Sequence, residues 1–223
     1  MRVLKEAASA FAPYLCFIFQ QSIHTGSVPA DWKHANIIAV YKKGSRTEAH
    51  DYRPVSLTSV PCKLLAHIMF RLIMTHLDAQ NVLVDRQHGF RSNRSCETQL
   101  INTIEHLARS IKYRNQTDLL ILDFLKAFGT VAHRRLLLKL EYYGTRGHHL
   151  NWMQSWLLNG TQQVVLEGEH REKSNVKSGV PQGTVLGPLC FLLYINDMGN
   201  NISSNLKLFA DDTLLYGLVF KET

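Results

Sequence analysis

Apolar residues recur at helical spacing in several stretches of the chain. Side chains three and four positions apart share one face of a helix, so this spacing predicts amphipathic helices that bury one stripe. The predicted helices cover residues 4–23, 61–80, 95–112, 133–143, 149–158 and 184–197. For the second of these, the stripe expected to face the core consists of Leu64, Leu65, Ile68, Leu72, Ile73 and Leu77.

The helix predicted over 95–112 has a recognisable start. Ser95 stands where a hydroxyl can cap the first turn, and an acidic residue, Glu97, follows it closely. Its apolar positions are expected to form one buried face, made of Leu100, Ile104, Leu107 and Ile111.

Short apolar runs rich in β-branched residues predict strands. They lie at 36–41, 119–124, 206–209 and 213–216, and a hairpin is expected from 162–167 and 172–177. The run that leads to Asp123 is apolar at every position from 119 to 122, which predicts a strand buried on both faces. Helices and strands mix without regular alternation, so the sequence predicts an α+β fold.

Composition narrows the possible classes of protein. The 223 residues are enough for one large domain or two small lobes that share a site. An apolar share of 45% and a charged share of 19% exclude a disordered chain, a collagen and a coiled coil. Lys and Arg outnumber Asp and Glu by 25 to 18, and this net charge of +7 is compatible with a polyanionic partner.

The cysteines and the lack of a secretory pattern predict an intracellular protein. Four cysteines are widely spaced without a CxxC pair, which favours reduced thiols over disulfides or zinc. No signal peptide is evident, and the most membrane-like stretch, 7–19, is too short to span a bilayer. We therefore expect no membrane association; the sequence does not distinguish nucleus from cytoplasm.

Asp211 and Asp212 are adjacent carboxylates between two predicted strands, where a hairpin turn is expected. Two like charges about 4 Å apart near a protein surface repel by about 4 kcal/mol. A divalent cation would turn that repulsion into attraction. Taken by itself, the pair is equally well explained as a solvated acidic turn, since Asp is common in turns.

Asp123 ends the apolar run at 119–122. A carboxylate in a buried strand is unfavourable unless it is paired or bound to metal, although an aspartate at a strand end can also reach solvent. If the two segments are neighbours, three carboxylates converge in an oxygen-ligand site that suits Mg²⁺. Two such ions about 3.5–4 Å apart can serve an in-line displacement.

Two further segments have features suited to binding a ligand. Lys42, Lys43, Arg46 and Arg53 cluster near turns, where cations can hold phosphate or simply form a solvated basic face. The glycines in residues 179–183 allow close approach of the backbone to a ligand, or serve as the loop before a helix.

Five motifs in order resemble one family. The segments LDFLKAFGTVAH (122–133), GVPQGTVLGPLCFLLYIND (179–197) and FADD (209–212) resemble reverse transcriptases, most closely those of non-LTR retrotransposons of the jockey type. DYRPVSL (51–57) and QHGFRSNRSCETQL (87–100) are similar to the fingers motifs of the same family. The resemblance covers residues 32–216.

This resemblance implies an RNA-directed DNA polymerase with the fingers and palm of a right-hand fold, the palm being an antiparallel sheet packed on helices. The implied division is an amino-terminal helical extension at 1–27, fingers at 28–115 and palm at 116–223. The family's remaining palm strands and thumb are missing, so the palm is expected to be incomplete at its carboxyl end. The implied partners are an RNA template, a DNA primer and dNTPs; an oligomeric state is not indicated.

The resemblance also implies roles for individual residues. Asp123, Asp211 and Asp212 are the expected catalytic, metal-binding triad, with Mg²⁺ as the cofactor and Mn²⁺ as its alternative. The expected nucleotide-binding residues are Lys42 and Arg53 near the triphosphate, Phe128 as the screen against a sugar 2′-hydroxyl, and Gln182 and Gly183. The expected template and primer residues are Gln87, Gly89, Phe90 and Arg91 near the template and Phe209 and Ala210 beside the primer end.

Three positions depart from the family pattern. The family usually has Asp where Gly129 stands, Ser at Leu125 and Pro at Ala132. The departures and the missing thumb keep open an alternative, a degenerate, non-catalytic nucleic-acid-binding remnant of such an element. A third possibility, an unrelated metal-dependent phosphotransferase, is disfavoured by the five ordered motifs.

Overall fold

Helices and strands follow one another irregularly along residues 2–219, the part of the chain that this computed structural model describes. The helices are α1 (Arg2–Glu6), α2 (Ala8–Thr25), α3 (Val60–Ala79), α4 (Cys96–Lys112), α5 (His133–Tyr142), α6 (Gly147–Leu157) and α7 (Leu186–Ile195). The strands are β1 (His34–Tyr41), β2 (Tyr52–Leu57), β3 (Thr117–Asp123), β4 (Thr161–Leu166), β5 (Glu169–His170), β6 (Ser174–Asn175), β7 (Asn205–Phe209) and β8 (Asp212–Leu218). The last four residues of the predicted palm, 220–223, lie outside this range.

One sheet joins strands that are far apart in the sequence. Its order within the described residues is β2-β1-β4-β5, and β6 also pairs with β4. β1 is antiparallel to β2 but parallel to β4, a pairing that the sequence did not predict. Pro54 lies in β2, at the edge of this sheet, where a strand tolerates a residue without an N–H. The sheet therefore draws strands from both sides of residue 116, and the proposed division into fingers and palm stays a prediction.

The second sheet is antiparallel, in the order β3-β8-β7 among the described strands. Helix α4 contacts it through two side-chain hydrogen bonds. His106 Nδ1 lies 2.6 Å from the Tyr216 hydroxyl, and Ser110 Oγ lies 2.6 Å from Thr117 Oγ1. The mixture of helices with sheets, and the antiparallel sheet packed on helices, confirm the predicted α+β class.

The main core lies between α3, α5, α6 and α7. Its fully buried side chains include Leu65, Met69, Leu136, Leu140, Trp152, Met153, Leu186 and Leu189. Trp152 Nε1 donates a hydrogen bond to Ser22 Oγ at 3.0 Å, which joins α6 to α2. By length and composition α3 could cross a membrane, but a soluble core helix passes the same test, and Leu65 and Met69 place α3 in this core.

Helix α3 buries a different stripe from the one predicted. Leu65, Ile73 and Leu77 are buried as expected, whereas Leu64, Ile68 and Leu72 are exposed. The buried face is completed by smaller or more flexible side chains, Cys62, Ala66 and Met69. The prediction was wrong because it chose the largest aliphatic residues, and the helix packs the side on which 62, 65, 66, 69, 73 and 77 align.

Strand β3 is exposed, so the prediction of burial on both faces was wrong. Leu119 is 48% exposed, and Ile121 is 76% exposed. Within the described residues β3 pairs with β8 along one side and forms the edge of its sheet. Hydrophobicity identified the strand correctly, but it could not show how much of the strand the rest of the chain covers.

Two helices also differ from their predicted form. The single helix expected over 4–23 is divided at Ala7 into α1 and α2. In α4 the predicted cap is confirmed, since Ser95 Oγ accepts a hydrogen bond from Thr98 N. The apolar face expected to be buried is largely exposed, because α4 turns Thr103 and Ser110 inward. The exposed members of that face are Leu100, Ile104 and Ile111.

Candidate active site

The hairpin between β7 and β8 holds two acidic residues beside a third. Phe209 pairs with Asp212 across the hairpin, so Ala210 and Asp211 form the turn. On the other side of β8, Asp212 pairs with Asp123, the last residue of β3. The antiparallel register therefore places Asp123 and Asp212 directly opposite each other, although 89 positions separate them in the sequence.

Paired residues of an antiparallel sheet project from the same face, with Cβ atoms about 4.5–5.5 Å apart. Two carboxylates in that relation repel. Partial desolvation and the neighbouring carboxylates of Asp211 and Asp123 raise the pKa of Asp212, and the ammonium group of Lys42 partly opposes this shift. Asp123, Asp211 and Lys42 therefore all lie close enough to Asp212 for their charges to interact with its carboxyl group.

The three carboxylates lie near one another, but their arrangement is not that of a complete metal-binding site. Across residues 2–219, no group of three or more His, Cys, Asp or Glu side chains has the geometry of a metal site. Asp123 and Asp212 are exposed at the end of the sheet and so are accessible to an ion from solvent. Carboxylate oxygens are the ligands that a hard divalent cation prefers, so the donor set fits such an ion.

Lys42 and Arg53 belong to the first sheet. Lys42 follows β1, and its backbone N–H donates to Asp51 O at 2.8 Å. Arg53 lies on β2 opposite Val40 and is exposed. The charge of Lys42, just after β1, lies near enough to Asp212 to oppose part of the rise in the pKa of that carboxyl.

Phe128 lies in a 3₁₀ helix, Ala127–Thr130, shortly after β3. Its ring stacks on Phe191 of α7, with centroids 4.6 Å apart, and meets Phe90 edge to face at 6.3 Å. Phe128 is half-buried and Phe90 is exposed. These two ring contacts hold the Phe128 ring between the core and the surface.

The loop at 178–183 is held by hydrogen bonds to β2 and to the 3₁₀ helix after β3. Gln182 O accepts a hydrogen bond from Ser56 N of β2, and Val180 N donates to Phe128 O, both at 2.8 Å. Gly183 packs against Val55, and a Cβ added there would lie 2.7 Å from Val55 Cγ1. The loop that holds Gln182 and Gly183 is therefore anchored to β2 and to the turn of Phe128.

His133 is a residue that the sequence analysis did not single out. It is buried at the start of α5, and its Nε2 lies 2.7 Å from Gly179 O, so this nitrogen is the donor. Gly179 in turn packs against Gly129, since a Cβ added at Gly179 would lie 2.8 Å from Gly129 O. A histidine within a helical pattern gave no signal of this contact, because its partner lies 46 residues away.

The segment expected near the template divides into two parts. Gln87 and Gly89 are buried beside the acidic turn, and Gln87 forms a parallel bridge with Leu208 of β7. The Arg91 guanidinium instead donates to Leu83 O and Val84 O, at 3.2 and 3.1 Å. Burial is the main cause that lowers the pKa of Arg91. Arg91 is thus bound to its own loop and does not join the carboxylates.

The family model described as "Reverse transcriptase (RNA-dependent DNA polymerase)" matches residues 40–218. The chain belongs to the reverse transcriptase family. Reverse transcriptases generally depend on a divalent metal ion, which agrees with the carboxylate set described above.

Curated reverse transcriptases of mobile elements are similar to this chain over most of its length. One is the probable RNA-directed DNA polymerase from transposon X-element of Drosophila melanogaster, 30% identical over 89% of this chain and 22% of the relative. Another is the RNA-directed DNA polymerase from mobile element jockey of the same species, 29% identical over 96% of this chain and 24% of the relative. This reverse transcriptase chain therefore spans about a quarter or less of these relatives.

Solved telomerase structures share the fold of this reverse transcriptase chain. Apo telomerase from Candida tropicalis, truncated from its C-terminal domain, aligns with a TM-score of 0.60 at 12% identity, over 85% of this chain and 44% of that one. Telomerase from Candida albicans in complex with a fragment of telomeric RNA also gives 0.60, at 11% identity, over 85% of this chain and 39% of that one.

Proposed function

We propose that this chain is the fingers and palm part of an RNA-directed DNA polymerase from a non-LTR retrotransposon. The observation that carries this proposal is the pairing of Asp123 with Asp212 next to Asp211. A structural sheet has no need for like charges directly opposite each other, and a polymerase that binds cations uses such a set.

The proposed reaction is nucleotidyl transfer. The 3′-hydroxyl oxygen of a primer loses its proton to solvent and forms a bond to the α-phosphorus of a dNTP, while the bond from that phosphorus to the pyrophosphate oxygen breaks. Asp123, Asp211 and Asp212 would hold the two divalent cations of this transfer, for which we propose Mg²⁺, with Mn²⁺ as a substitute. When bound, such a cation activates the attacking hydroxyl and neutralises charge on the leaving oxygen.

The surrounding residues supply the proposed binding surfaces. We propose that Lys42 and Arg53 bind the triphosphate and that Phe128 screens the sugar 2′ position. The stacking of Phe128 on Phe191 supports this, since a fixed ring discriminates better than a mobile one. The loop of Gln182 and Gly183 would contact the incoming nucleotide. Support comes from its anchoring to β2, which holds Arg53.

The proposed nucleic-acid partners are an RNA template and a DNA primer. Phe209 and Ala210 flank the carboxylates, which supports a position beside the primer end. We propose that Phe90 contacts the template; its exposure and its position next to Phe128 support this. Because base pairing reads the template, the protein needs mostly backbone contacts, and the net charge of +7 suits them.

We also propose that the protein works inside the cell. All four cysteines lie in the described residues and are free thiols, with Cys62 and Cys190 buried. Burial raises the pKa of Cys62 to about 11 and that of Cys190 to about 12, so both thiols stay protonated and unreactive at neutral pH. Unpaired buried thiols are typical of a reducing compartment.

Primer extension on an RNA template with Mg²⁺ and dNTPs tests the proposal. Asp123→Asn should lower the extension rate by more than about 100-fold, beyond the loss expected for a residue that only orients a ligand. Asp118→Asn, the same change near the other end of β3, is the matched control and should retain the wild-type rate.

The nucleic-acid affinity of both variants should stay close to that of the wild type. Equal extension rates for Asp123→Asn and the wild type would refute the role of the carboxylates. A folded wild-type chain that binds RNA without extending a primer would instead support the non-catalytic remnant.

A further inference from the structure

The acidic turn has a backbone conformation that its sequence does not favour. Ala210, the first of its two central residues, has φ = 55°. A positive φ at this position is typical of the turns that close two-residue hairpins, where glycine is the usual residue. A residue with a Cβ adopts this conformation when its surroundings hold it there.

A neighbouring segment runs along the outer side of β7 and reaches this turn. Leu208 N donates to Arg86 O, and His88 N donates to Leu208 O, both at 2.8 Å. These two bonds place Gln87 beside the end of β7 in a parallel bridge. The side chain of Gln87 is directed inward, and the residue is 3% exposed.

The buried amide of Gln87 meets both backbone polar groups of Ala210. Its Oε1 accepts hydrogen bonds from Ala210 N at 3.0 Å and from Gly89 N at 2.7 Å. Its Nε2 donates a longer bond to Ala210 O, at 3.5 Å. Because two N–H donors point at one atom, that atom must be the amide oxygen, which fixes the orientation of the side chain.

The absence of a side chain at Gly89 permits this contact. A Cβ added to Gly89 would lie 2.3 Å from Ala210 N and 3.0 Å from Ala210 Cα. The segment from Gln87 to Gly89 therefore fits against the turn that presents Asp211 and Asp212. A buried polar side chain that forms hydrogen bonds with a strained turn helps to hold that turn in its conformation.

We propose that Gln87 is a positioning residue for the polymerase reaction. Its amide holds the Ala210 backbone in the left-handed region and so sets the directions in which Asp211 and Asp212 present their carboxylates to the divalent cation. This role rests on the proposed function. It differs from the contact with template that the family resemblance implies, because a residue with 3% exposure offers almost no surface to a bound strand.

Three variants test the role. Gln87→Met has similar length but loses all three hydrogen bonds, whereas Gln87→Glu keeps an oxygen acceptor at the same reach. Gln154→Met is the matched control, because Gln154 lies on the exposed side of α6. Each variant is compared with the wild type by far-UV circular dichroism and thermal unfolding, which show whether it is folded.

Two functional measurements follow on each folded variant. The first is kcat and the KM for dNTP in primer extension with Mg²⁺. The second is Mn²⁺ binding, followed by electron paramagnetic resonance with a template–primer whose primer lacks the 3′-hydroxyl. Gln87→Met should lower kcat by about 10–100-fold and raise the Mn²⁺ concentration for half-saturation by a similar factor, the range typical of groups that orient metal ligands.

The affinity of Gln87→Met for template–primer should be unchanged. The kcat of Gln87→Glu should lie between those of Gln87→Met and the wild type. Gln154→Met should match the wild type in every measurement. A folded Gln87→Met with wild-type kcat and Mn²⁺ binding would overturn the proposal. So would weaker template binding at unchanged kcat, which is the result expected of a template contact.

If Gln87→Met does not fold, Gln87→Glu decides the matter through the same two measurements, since wild-type values for both would overturn the proposal. Failure of the proposed function is distinguishable from failure of this inference. A wild-type chain that never extends a primer contradicts the first, while the comparison of Mn²⁺ binding still tests the second.

Discussion

Gly89→Ala is the sharpest steric test of the contact between the 86–89 segment and the acidic turn. The new Cβ would lie 2.3 Å from Ala210 N, and an ordinary contact begins near 3.4 Å. The clash is with backbone, so a side-chain rotation cannot relieve it. Either the core absorbs the strain or the turn moves away by about 1 Å.

Both responses have measurable consequences. Overpacking of a buried site costs about 1–3 kcal/mol in the free energy of unfolding. For a chain of this length that corresponds to a fall of roughly 2–12 °C in melting temperature. A shift of about 1 Å would also stretch the bond between Gln87 Oε1 and Ala210 N from 3.0 Å beyond hydrogen-bonding distance. Misplacement on that scale can slow a reaction by about 100-fold.

The assay is thermal unfolding followed by circular dichroism, together with primer extension at a temperature where wild type and variant are both folded. Gly129→Ala is the control, since its Cβ would meet nothing closer than Lys126 Cβ at 4.0 Å. Gly129→Ala should match or slightly exceed the wild-type melting temperature, because alanine restricts the unfolded chain. A Gly89→Ala melting temperature within about 1 °C of the wild type, with an unchanged extension rate, would refute the close approach.

Three further predictions follow from the site. Because the pKa of Asp212 is raised in the folded chain, ionisation of this carboxyl destabilises the fold. Asp212→Asn should therefore have a higher melting temperature than the wild type at pH 7. The difference should shrink as the pH falls toward the folded-state pKa of Asp212, which melting curves across pH will check. Phe128→Val should lower the discrimination against ribonucleotides, and an unchanged ratio of rNTP to dNTP incorporation would contradict the sugar screen. The same variant loses the stacking on Phe191, which should lower the free energy of unfolding by at least about 0.5–1.5 kcal/mol. Gly129→Asp, which introduces the family residue into open space, should keep the wild-type melting temperature; a loss of several degrees would mean that the corner after β3 is tighter than the structure shows.

The sequence was informative where the signal is local. The Ser95 cap, the strand that ends at Asp123 and the hairpin around Asp211 each depend on residues close together in the chain. The chemical character of the acids predicts a metal site there, and the structure brings the three acids together. The antiparallel pairing of β3 with β8 then sets Asp123 opposite Asp212.

Long-range contacts were not predictable in the same way. β1 and β4 pair in parallel across 127 positions, as between His34 and Thr161, and neither strand indicates its partner. Likewise, nothing near Gln87 in the sequence shows that its amide bonds to Ala210, 123 residues later. Periodicity finds a face of a helix, but α4 shows that an apolar face can be exposed when hydrogen bonds place the opposite side against a sheet.

The exposed strand β3 has a practical consequence for anyone who prepares this chain. From Leu119 to Leu122 it presents four consecutive aliphatic side chains at the border of a sheet, together with backbone groups that can pair with another strand. Such borders are templates for self-association and aggregation. A charged residue introduced at Ile121, which is 76% exposed, should raise the highest concentration at which the purified chain stays monodisperse in light scattering.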